Sequence, residues 1–246
     1  MTAEYAVDRS SGWWQWSATT LWITLLVAGT VGFLIERGDI VASGWFVVGV
    51  ASGLVLVSAM IGWLLWRTES QPITLATMVT LSRGAVLAVF AGLLAGGQPA
   101  GSGWVPATLF ALAAGLDTVD GRLARATDSV SELGARLDTE IDGLTVLLGA
   151  VFTVVFGLVP LVFLVVGIAR YAFVAGIWLR KRRGLPIEEL PPSQLRRVLG
   201  GLAMGTIWVA LLPVPGPAIS RPLALVVSVP FVFNFGRDWQ SVSGRR

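Results

Sequence analysis

Long apolar segments recur along the whole chain, and they restrict its fold more than any other feature. A helix needs about 20 apolar residues to cross a bilayer, and eight suitable runs lie near residues 17–35, 41–66, 73–95, 104–125, 136–158, 160–179, 195–213 and 219–236. Hydrophobic residues make up 54% of the chain and charged residues only 13%, with a mean hydropathy of +0.75. A water-soluble enzyme of this length would not have that composition. We therefore expect an all-α integral membrane protein with eight spans.

Basic residues are divided unevenly between the linkers that join these spans. Residues 96–103, 157–160 and 213–219 contain no lysine or arginine. The linkers on the other side carry most of the arginines, namely Arg67, Arg122, Arg125, Arg136, Arg180, Arg182, Arg183, Arg196, Arg197, Arg237, Arg245 and Arg246. Because cytoplasmic loops are enriched in lysine and arginine, both termini are predicted to be cytoplasmic. This topology also accounts for most of the pI of 10.2, and no nucleic-acid partner is expected, since no recognition motif accompanies the charge.

The first 70 residues differ in character from the rest of the chain. Residues 1–70 are predicted to form a transmembrane hairpin with a turn at 36–39 and no charge inside its spans. From Gln71 onward, ionisable and hydroxyl residues occur within the spans, so 71–246 is predicted to be a separate core domain. Two Gly-x-x-x-Gly motifs, at Gly49 and Gly53 and at Gly201 and Gly205, are candidates for close helix packing, although glycine is common in membrane spans.

Four aspartates lie close together at two of the predicted spans: Asp117, Asp120, Asp138 and Asp142. A carboxylate beside apolar helices loses its hydration and needs a positive partner. The first two are three residues apart and the last two are four apart, so each pair shares a helix face and both pairs can meet in one cleft. Since this window also contains small residues at 121, 124 and 134, a ligand could approach the backbone there.

The positive partner can be a metal ion or arginine side chains. The chain contains no histidine and no cysteine, which excludes the usual zinc ligands and leaves magnesium or manganese as ions suited to carboxylate oxygens. The other explanation is pairing with nearby arginines, such as Arg122, Arg125 and Arg136. That explanation leaves the regular spacing of the glycines and of the alanine without a reason.

The complete motif reads Asp117-x-x-Asp120-Gly121-x-x-Ala124-Arg125, then eight residues, then Gly134-x-x-x-Asp138-x-x-x-Asp142. It resembles the signature of the CDP-alcohol phosphatidyltransferases, with every fixed position filled. These enzymes often carry Pro-Asn-x-x-Thr-x-x-Arg upstream, and the run from Ala76 to Arg83 is similar, with Ala76 and Thr77 in place of Pro and Asn. The resemblance implies a six-helix catalytic core over 71–246, preceded by the hairpin.

The resemblance also implies a reaction and a set of site residues. A CDP-linked lipid would donate its phosphatidyl group to a small alcohol, with release of CMP. Two divalent ions, Mg²⁺ or Mn²⁺, would be held by Asp117, Asp120 and Asp138 and by Asp117, Asp138 and Asp142, with Asp142 as the proton acceptor. The residues expected at the CDP-lipid are Thr77, Met78, Val79, Thr80, Gly121, Ala124, Arg125, Ser131 and Gly134. The resemblance further implies a homodimer with its active site open to the cytoplasm and the inner leaflet.

Arginines outside the motif are the candidates for binding the acceptor. Arg83 and Arg170 lie roughly ten residues, or ~15 Å, into their spans, where an arginine needs a partner. Contact with a substrate phosphate is one explanation, and snorkelling or pairing with an aspartate is the other; the sequence favours neither. Arg196 and Arg197 belong to a basic group that cytoplasmic topology mostly explains. The other explanation is recognition of a phosphorylated polyol as acceptor, because guanidinium groups suit phosphate.

Three alternatives remain open from the sequence. An enzyme similar to phosphatidylserine synthases would take an acceptor without a phosphate. A cation-coupled transporter would also place carboxylates inside the membrane, but near the bilayer midplane, whereas these aspartates are predicted at the cytoplasmic ends of two spans. A relative that keeps the motif but acts as a binding or assembly protein is the third.

Overall fold

The computed structural model describes residues 9–67, 73–96, 103–126, 131–190 and 192–244, without the side chains of residues 9–11 and 118–126. Within these ranges the chain is helical, and a single 3-10 turn (Leu161–Phe163) precedes α6. The eight α-helices are α1 (Arg9–Glu36), α2 (Gly44–Arg67), α3 (Leu75–Gly96), α4 (Val105–Ala126), α5 (Glu132–Val155), α6 (Leu164–Arg182), α7 (Gln194–Leu211) and α8 (Pro217–Val242). Each coincides with one of the predicted apolar runs, so the all-α prediction is confirmed.

Five segments in the described residues are long and apolar enough to cross a membrane: Gly12–Glu36, Gly44–Arg67, Leu75–Gly96, Leu161–Arg182 and Pro217–Val242. They correspond to α1, α2, α3, α6 and α8 and indicate a multi-pass membrane protein. In the described part of the chain, α4, α5 and α7 do not reach the same length and hydropathy. The count of eight spans therefore stays a prediction.

The predicted turn of the N-terminal hairpin lies where α1 ends. Backbone hydrogen bonds from Arg37 N to Phe33 O (3.1 Å) and from Gly38 N to Ile35 O (2.9 Å) close the last turn of the helix. Gly38 has a φ of 71°, a left-handed conformation in which a side chain would clash with the backbone. The chain can therefore reverse direction within a few residues and start α2 at Gly44.

The chain forms two compact units, Met1–Thr145 and Val146–Arg246. The first contains α1 to α4 and the first part of α5, and both helices of the hairpin pack on α3, which also packs on α4. The second contains the rest of α5 and α6 to α8. The predicted domains, 1–70 and 71–246, divide the chain by function rather than by compactness, and that division stays a prediction.

Helix α3 is the central helix of the first unit. In its most apolar stretch, 67% of the residues are buried, against 22% in α1 and 33% in α2. It packs against α1, α2 and α4, so its polar side chains face other helices rather than lipid. Thr77, Thr80 and Arg83 are among its buried residues.

The Gly49-x-x-x-Gly53 motif is where α2 meets α3. A Cβ atom on Gly49 would lie 2.6 Å from the Ala91 carbonyl oxygen and 2.9 Å from Gly92 Cα, and one on Gly53 would lie 2.7 Å from Ala88 Cα. The two backbones are thus closer than side chains would allow. This close approach confirms the interpretation that the motif is a site of helix packing.

In the second unit, α6 packs against α8 through aromatic side chains. The ring of Phe173 lies 6.0 Å from that of Phe235 and 5.7 Å from that of Trp239, measured between centroids. Arg180, near the end of α6, donates hydrogen bonds from Nη2 to the carbonyl oxygens of Pro186 (2.8 Å) and Ser243 (3.2 Å). This arginine ties the loop after α6 to the end of α8.

Candidate functional site

Three of the four motif aspartates converge in the first unit. Helix α4 contributes Asp117, and α5 contributes Asp138 and Asp142, which lie one turn apart. One carboxylate oxygen from each of the three lies within 4.8 Å of the others. The predicted meeting of two helices at these carboxylates is therefore present in the structure. The fourth aspartate, Asp120, lies on α4, but its side chain falls outside the described residues.

The sequence of α5 explains how it presents this face. Leu133, Leu137 and Ile141 recur at helical spacing and are at most 1% exposed, so they direct one side of the helix into the unit. Asp138 and Asp142 each follow one of these buried residues by one position, so they lie at the border of the buried stripe. Their side chains are 38% and 34% exposed, and that of Asp117 is 42% exposed. The carboxylates can therefore meet a ligand from outside the unit.

A single arginine is bonded to all three carboxylates. Arg83 Nη1 donates to Asp117 Oδ1 (3.2 Å) and to Asp138 Oδ1 (2.6 Å), and its Nη2 donates to Asp142 Oδ1. Its Nε donates to the carbonyl oxygen of Ala113 at 2.9 Å. The side chain of Arg83 is 0% exposed. Of the two sequence explanations for this arginine, the structure contains the pairing with aspartates, while acceptor binding by Arg83 stays a prediction.

Other arginines lie closer to the aspartates in sequence and are predicted as their partners on that ground. Arg136 instead bonds Glu132 one turn earlier on α5, with Nη2 2.5 Å from Oε1, and is 48% exposed. The side chains of Arg122 and Arg125 lie outside the described residues. The sequence feature that pointed to Arg83 is its position deep within an apolar helix, where an arginine needs a strong partner.

The donor set fits a hard divalent cation. Carboxylate oxygens are the ligands that magnesium and manganese prefer, and three of them lie together at a partly exposed face. Counted over the four described side chains, three carboxylates and one guanidinium leave a formal net charge of −3 + 1 = −2. That charge would attract a divalent ion to the open side of the cluster.

Several residues predicted to bind CDP-lipid meet near the start of α5. Ser131 caps this helix, since its Oγ accepts a hydrogen bond from Gly134 N at 3.0 Å. A Cβ atom on Gly134 would lie 3.0 Å from Ser131 Oγ and 3.5 Å from Thr77 Oγ1. Thr77 Oγ1 in turn lies 3.0 Å from Thr74 Oγ1. Hydroxyl groups from α3 and from the start of α5 therefore share one small region.

The other predicted CDP-lipid residues are placed less completely. Thr80 is buried on α3, and its Oγ1 donates to Ala76 O at 3.2 Å. Met78 and Val79 are half-buried on the same helix. Gly121, Ala124 and Arg125 lie on α4, outside the part of the chain whose side chains are described. Binding of CDP-lipid by all of these residues stays a prediction.

The arginines predicted to bind the acceptor, other than Arg83, belong to the second unit. Arg170 is half-buried on α6, and Arg197 is exposed in the first turn of α7. Arg196 forms an ion pair with Asp238 of α8, with 3.6 Å between Nη1 and Oδ2. Their role at an acceptor stays a prediction.

Comparison with known proteins gives one match. The family model described as CDP-alcohol phosphatidyltransferase matches residues 73–233, which is more than half of the chain. The match includes Arg83 and all four motif aspartates. No curated protein and no solved structure matches the chain.

Proposed function

The chain belongs to the CDP-alcohol phosphatidyltransferase family, and we propose that its aspartate cluster transfers a phosphatidyl-type group from a CDP-linked lipid to a small alcohol acceptor. Membership makes the protein a phosphotransferase of phospholipid biosynthesis. One observation carries the assignment of the site. Three carboxylates from two helices come within 4.8 Å of one another at a partly exposed face, inside the segment that the family covers.

The proposed architecture follows the family and the charge pattern. Residues 71–246 form the six-helix catalytic core, and residues 1–70 add a two-helix hairpin, giving eight spans. The arginine-rich linkers favour cytoplasmic termini and an active site at the cytoplasmic face. The protein works as a homodimer, as the family resemblance implies.

The proposed metal ligands are Asp117, Asp120, Asp138 and Asp142, which hold two Mg²⁺ or Mn²⁺ ions. Bound divalent ions neutralise charge on the donor's diphosphate and make the acceptor hydroxyl easier to deprotonate. The chain's own contribution is to hold the carboxylates on α4 and on the part of α5 that belongs to the first unit. Ligands that project from helices are held in more precise positions than ligands on loops.

Asp142 is proposed as the proton acceptor. The chain has no histidine, and a carboxylate can take this role when it lies within hydrogen-bond reach of the substrate hydroxyl. The acceptor oxygen attacks the phosphorus of the phosphatidyl group, its proton passes to Asp142, and the bond to CMP breaks with the electron pair leaving on CMP. The one-third exposure of Asp142 supports access by a small alcohol.

The donor and the acceptor are proposed to bind different residues. Thr77, Ser131 and Gly134, which lie together, contact the CDP-lipid with Met78, Val79, Thr80, Gly121, Ala124 and Arg125. Arg170, Arg196 and Arg197 are the proposed acceptor contacts, and they favour a phosphorylated polyol. Arg83, the fourth arginine that the sequence suggested for this role, is left out of the proposed set because its side chain is buried against the aspartates.

The test of this function is release of CMP from CDP-lipid by the purified protein in detergent with Mg²⁺. Glycerol phosphate, inositol phosphate, inositol and serine serve as acceptors. We expect release to depend on one of them and to vanish in Asp138→Ala. Glu132→Gln is the matched control, since it removes an exposed carboxylate from the same helix outside the cluster. No release with any acceptor, or equal release by Asp138→Ala and the parent, would refute the proposal.

The base assignment has its own test. Asp142→Asn keeps the size of the side chain but cannot accept the proton, so turnover should fall by about 10²–10⁴-fold. Binding of CDP-lipid, measured separately by titration, should fall far less. An equal loss of binding and turnover would contradict the role of Asp142 as base and leave the metal site in place.

A further inference from the structure

Arg83 lies behind the carboxylates rather than among the groups open to substrate. Its side chain is 0% exposed, whereas Asp117, Asp138 and Asp142 are 42%, 38% and 34% exposed. In its hydrogen bonds to Asp117, Asp138 and Asp142, the guanidinium reaches Oδ1 of each carboxylate. The guanidinium is therefore buried on the inner side of the cluster, and the carboxylates form its outer side.

The orientation of this guanidinium is fixed by the backbone of α4. Nε donates to the carbonyl oxygen of Ala113 at 2.9 Å, and Ala113 lies one turn before Asp117 on the same helix. Nη1 then bridges Asp117 on α4 and Asp138 on α5. The planar guanidinium group of an arginine can donate hydrogen bonds in all of these directions at once, whereas a lysine ammonium cannot. One side chain from α3 thus sets the distance between carboxylates on two other helices.

The cluster needs such a cation to stay assembled. Three carboxylates with oxygens within 4.8 Å of one another repel each other. The repulsion is strong next to packed helices, because the dielectric constant is low there. The buried guanidinium offsets that repulsion from the inner side. If Arg83 left these positions, a positive charge would remain inside the unit without its partners, which costs far more than the pairing gains.

We propose that Arg83 is a positioning residue of the metal centre, a fixed internal cation that holds Asp117, Asp138 and Asp142 in place for divalent ions and stays bonded to them. The proposal rests on the proposed function, because it assigns the carboxylates to metal. It gives Arg83 a role through the ligands and not through the acceptor. Removing a group that orients metal ligands typically weakens metal affinity by about 10–100-fold.

The experiment measures Mn²⁺ affinity directly, without turnover. The full chain in detergent is titrated with Mn²⁺, and the loss of the electron paramagnetic resonance signal of free Mn²⁺ gives the Kd. The variants are Arg83→Gln, Arg83→Lys and Phe90→Ala. Phe90 is a matched control on the same helix, since it is 1% exposed and its ring packs 6.3 Å from that of Phe110 on α4. Thermal unfolding with EDTA is recorded for every protein.

We expect Arg83→Gln to raise the Kd for Mn²⁺ by about 10–100-fold, and Arg83→Lys to raise it less, because lysine restores the charge but not the planar guanidinium group. Phe90→Ala should lower the unfolding temperature and raise the Kd far less than Arg83→Gln does. Arg83→Lys also serves in place of Arg83→Gln if the glutamine variant does not fold.

Three results would overturn the proposal. A Kd equal to that of the parent in the Arg83 variants would show that the guanidinium does not position the ligands. A lower Kd would show that Arg83 competes with metal for the same oxygens. A Kd raised as much by Phe90→Ala would show only a general loss of packing. None of these results contradicts the proposed function if the parent protein binds Mn²⁺ and releases CMP. A parent protein that does neither would refute the proposed function itself.

Discussion

The contact between α2 and α3 gives a prediction whose size can be worked out from the structure. In Gly49→Ala, the new Cβ atom would lie 2.6 Å from the Ala91 carbonyl oxygen, 2.7 Å from Ala95 Cβ and 2.9 Å from Gly92 Cα. Ordinary contacts of this kind begin near 3.4 Å, so relief requires the helices to separate by 3.4 − 2.6, or about 0.8 Å. Two of the three neighbours are backbone atoms, which cannot turn away as a flexible side chain could.

The expected loss follows from two opposing terms. Forcing an extra carbon into a packed interface costs about 1–3 kcal/mol, and the rigid backbone neighbours place this site near the upper end. Alanine is a better helix former than glycine by about 1 kcal/mol. The net destabilisation should therefore be about 2 kcal/mol, which corresponds to a fall of roughly 4–8 °C in unfolding temperature for a chain of this size.

Gly29→Ala is the matched control for this change. Gly29 lies in α1 of the same hairpin, and a Cβ atom there would meet nothing within 4 Å. Gly29→Ala should be stabilised only by the higher helix propensity of alanine. The difference in the free energy of unfolding between the two variants therefore measures the cost of the steric clash, about 3 kcal/mol. Thermal unfolding in detergent, followed by far-UV circular dichroism, gives both values. If Gly49→Ala is as stable as Gly29→Ala, α2 does not pack on α3 as described.

Three further predictions concern separate parts of the chain. Gly176→Ala places its methyl group against the Trp239 ring and should lower the unfolding temperature; an unchanged midpoint would contradict the packing of α6 on α8. Trp16→Phe removes the hydrogen bond from Nε1 to the carbonyl oxygen of Ser58 (3.0 Å), so a loss of about 1 kcal/mol is expected in the same assay, and no loss would mean that this bond is not formed. Chelation by EDTA should abolish CMP release and added Mg²⁺ should restore it, while activity that survives EDTA would argue against a metal centre at the aspartates.

The positions of the helices and the meeting of the aspartates were both predictable from sequence, for different reasons. Apolar runs of about 20 residues mark helices whatever their neighbours are. Asp138 and Asp142 share a face because they are one turn apart. Their approach to Asp117 depends on how two helices pack, and there the motif, read through the family resemblance, supplied what periodicity could not.

The partner of Arg83 was not predictable in the same way. Its bonds join residues 34, 55 and 59 positions apart in sequence. No local pattern specifies such distances, and depth in an apolar helix shows only that some partner exists. Nearness in sequence favours Arg122, Arg125 and Arg136 as partners of the aspartates. Pairing of Arg83 with an aspartate was one of its two predicted explanations, and the structure shows it bonding three of them from another helix.

The two Gly-x-x-x-Gly motifs make the same point from packing. The first brings α2 against α3 at Gly49 and Gly53, while a Cβ atom on Gly201 or Gly205 would meet nothing within 4 Å in the described part of the chain. The local sequences are equivalent, so the difference arises from which helix, if any, lies opposite. A small-residue motif permits close approach but does not specify a partner.

The hairpin and the aspartate cluster are connected through α3. Gly84 follows Arg83 directly, and a Cβ atom there would lie 2.8 Å from Val57 Cγ1 of α2 and 3.4 Å from Ile141 Cδ1 of α5. Helix α3 is thus held between α2 and α5 at the level of the residue that bonds the carboxylates. A shift of α2 by Gly49→Ala acts on that contact, and side-chain positions in a packed unit transmit such strain. If Arg83 positions the metal ligands, Gly49→Ala should weaken Mn²⁺ binding more than Gly29→Ala does, although neither glycine touches an aspartate.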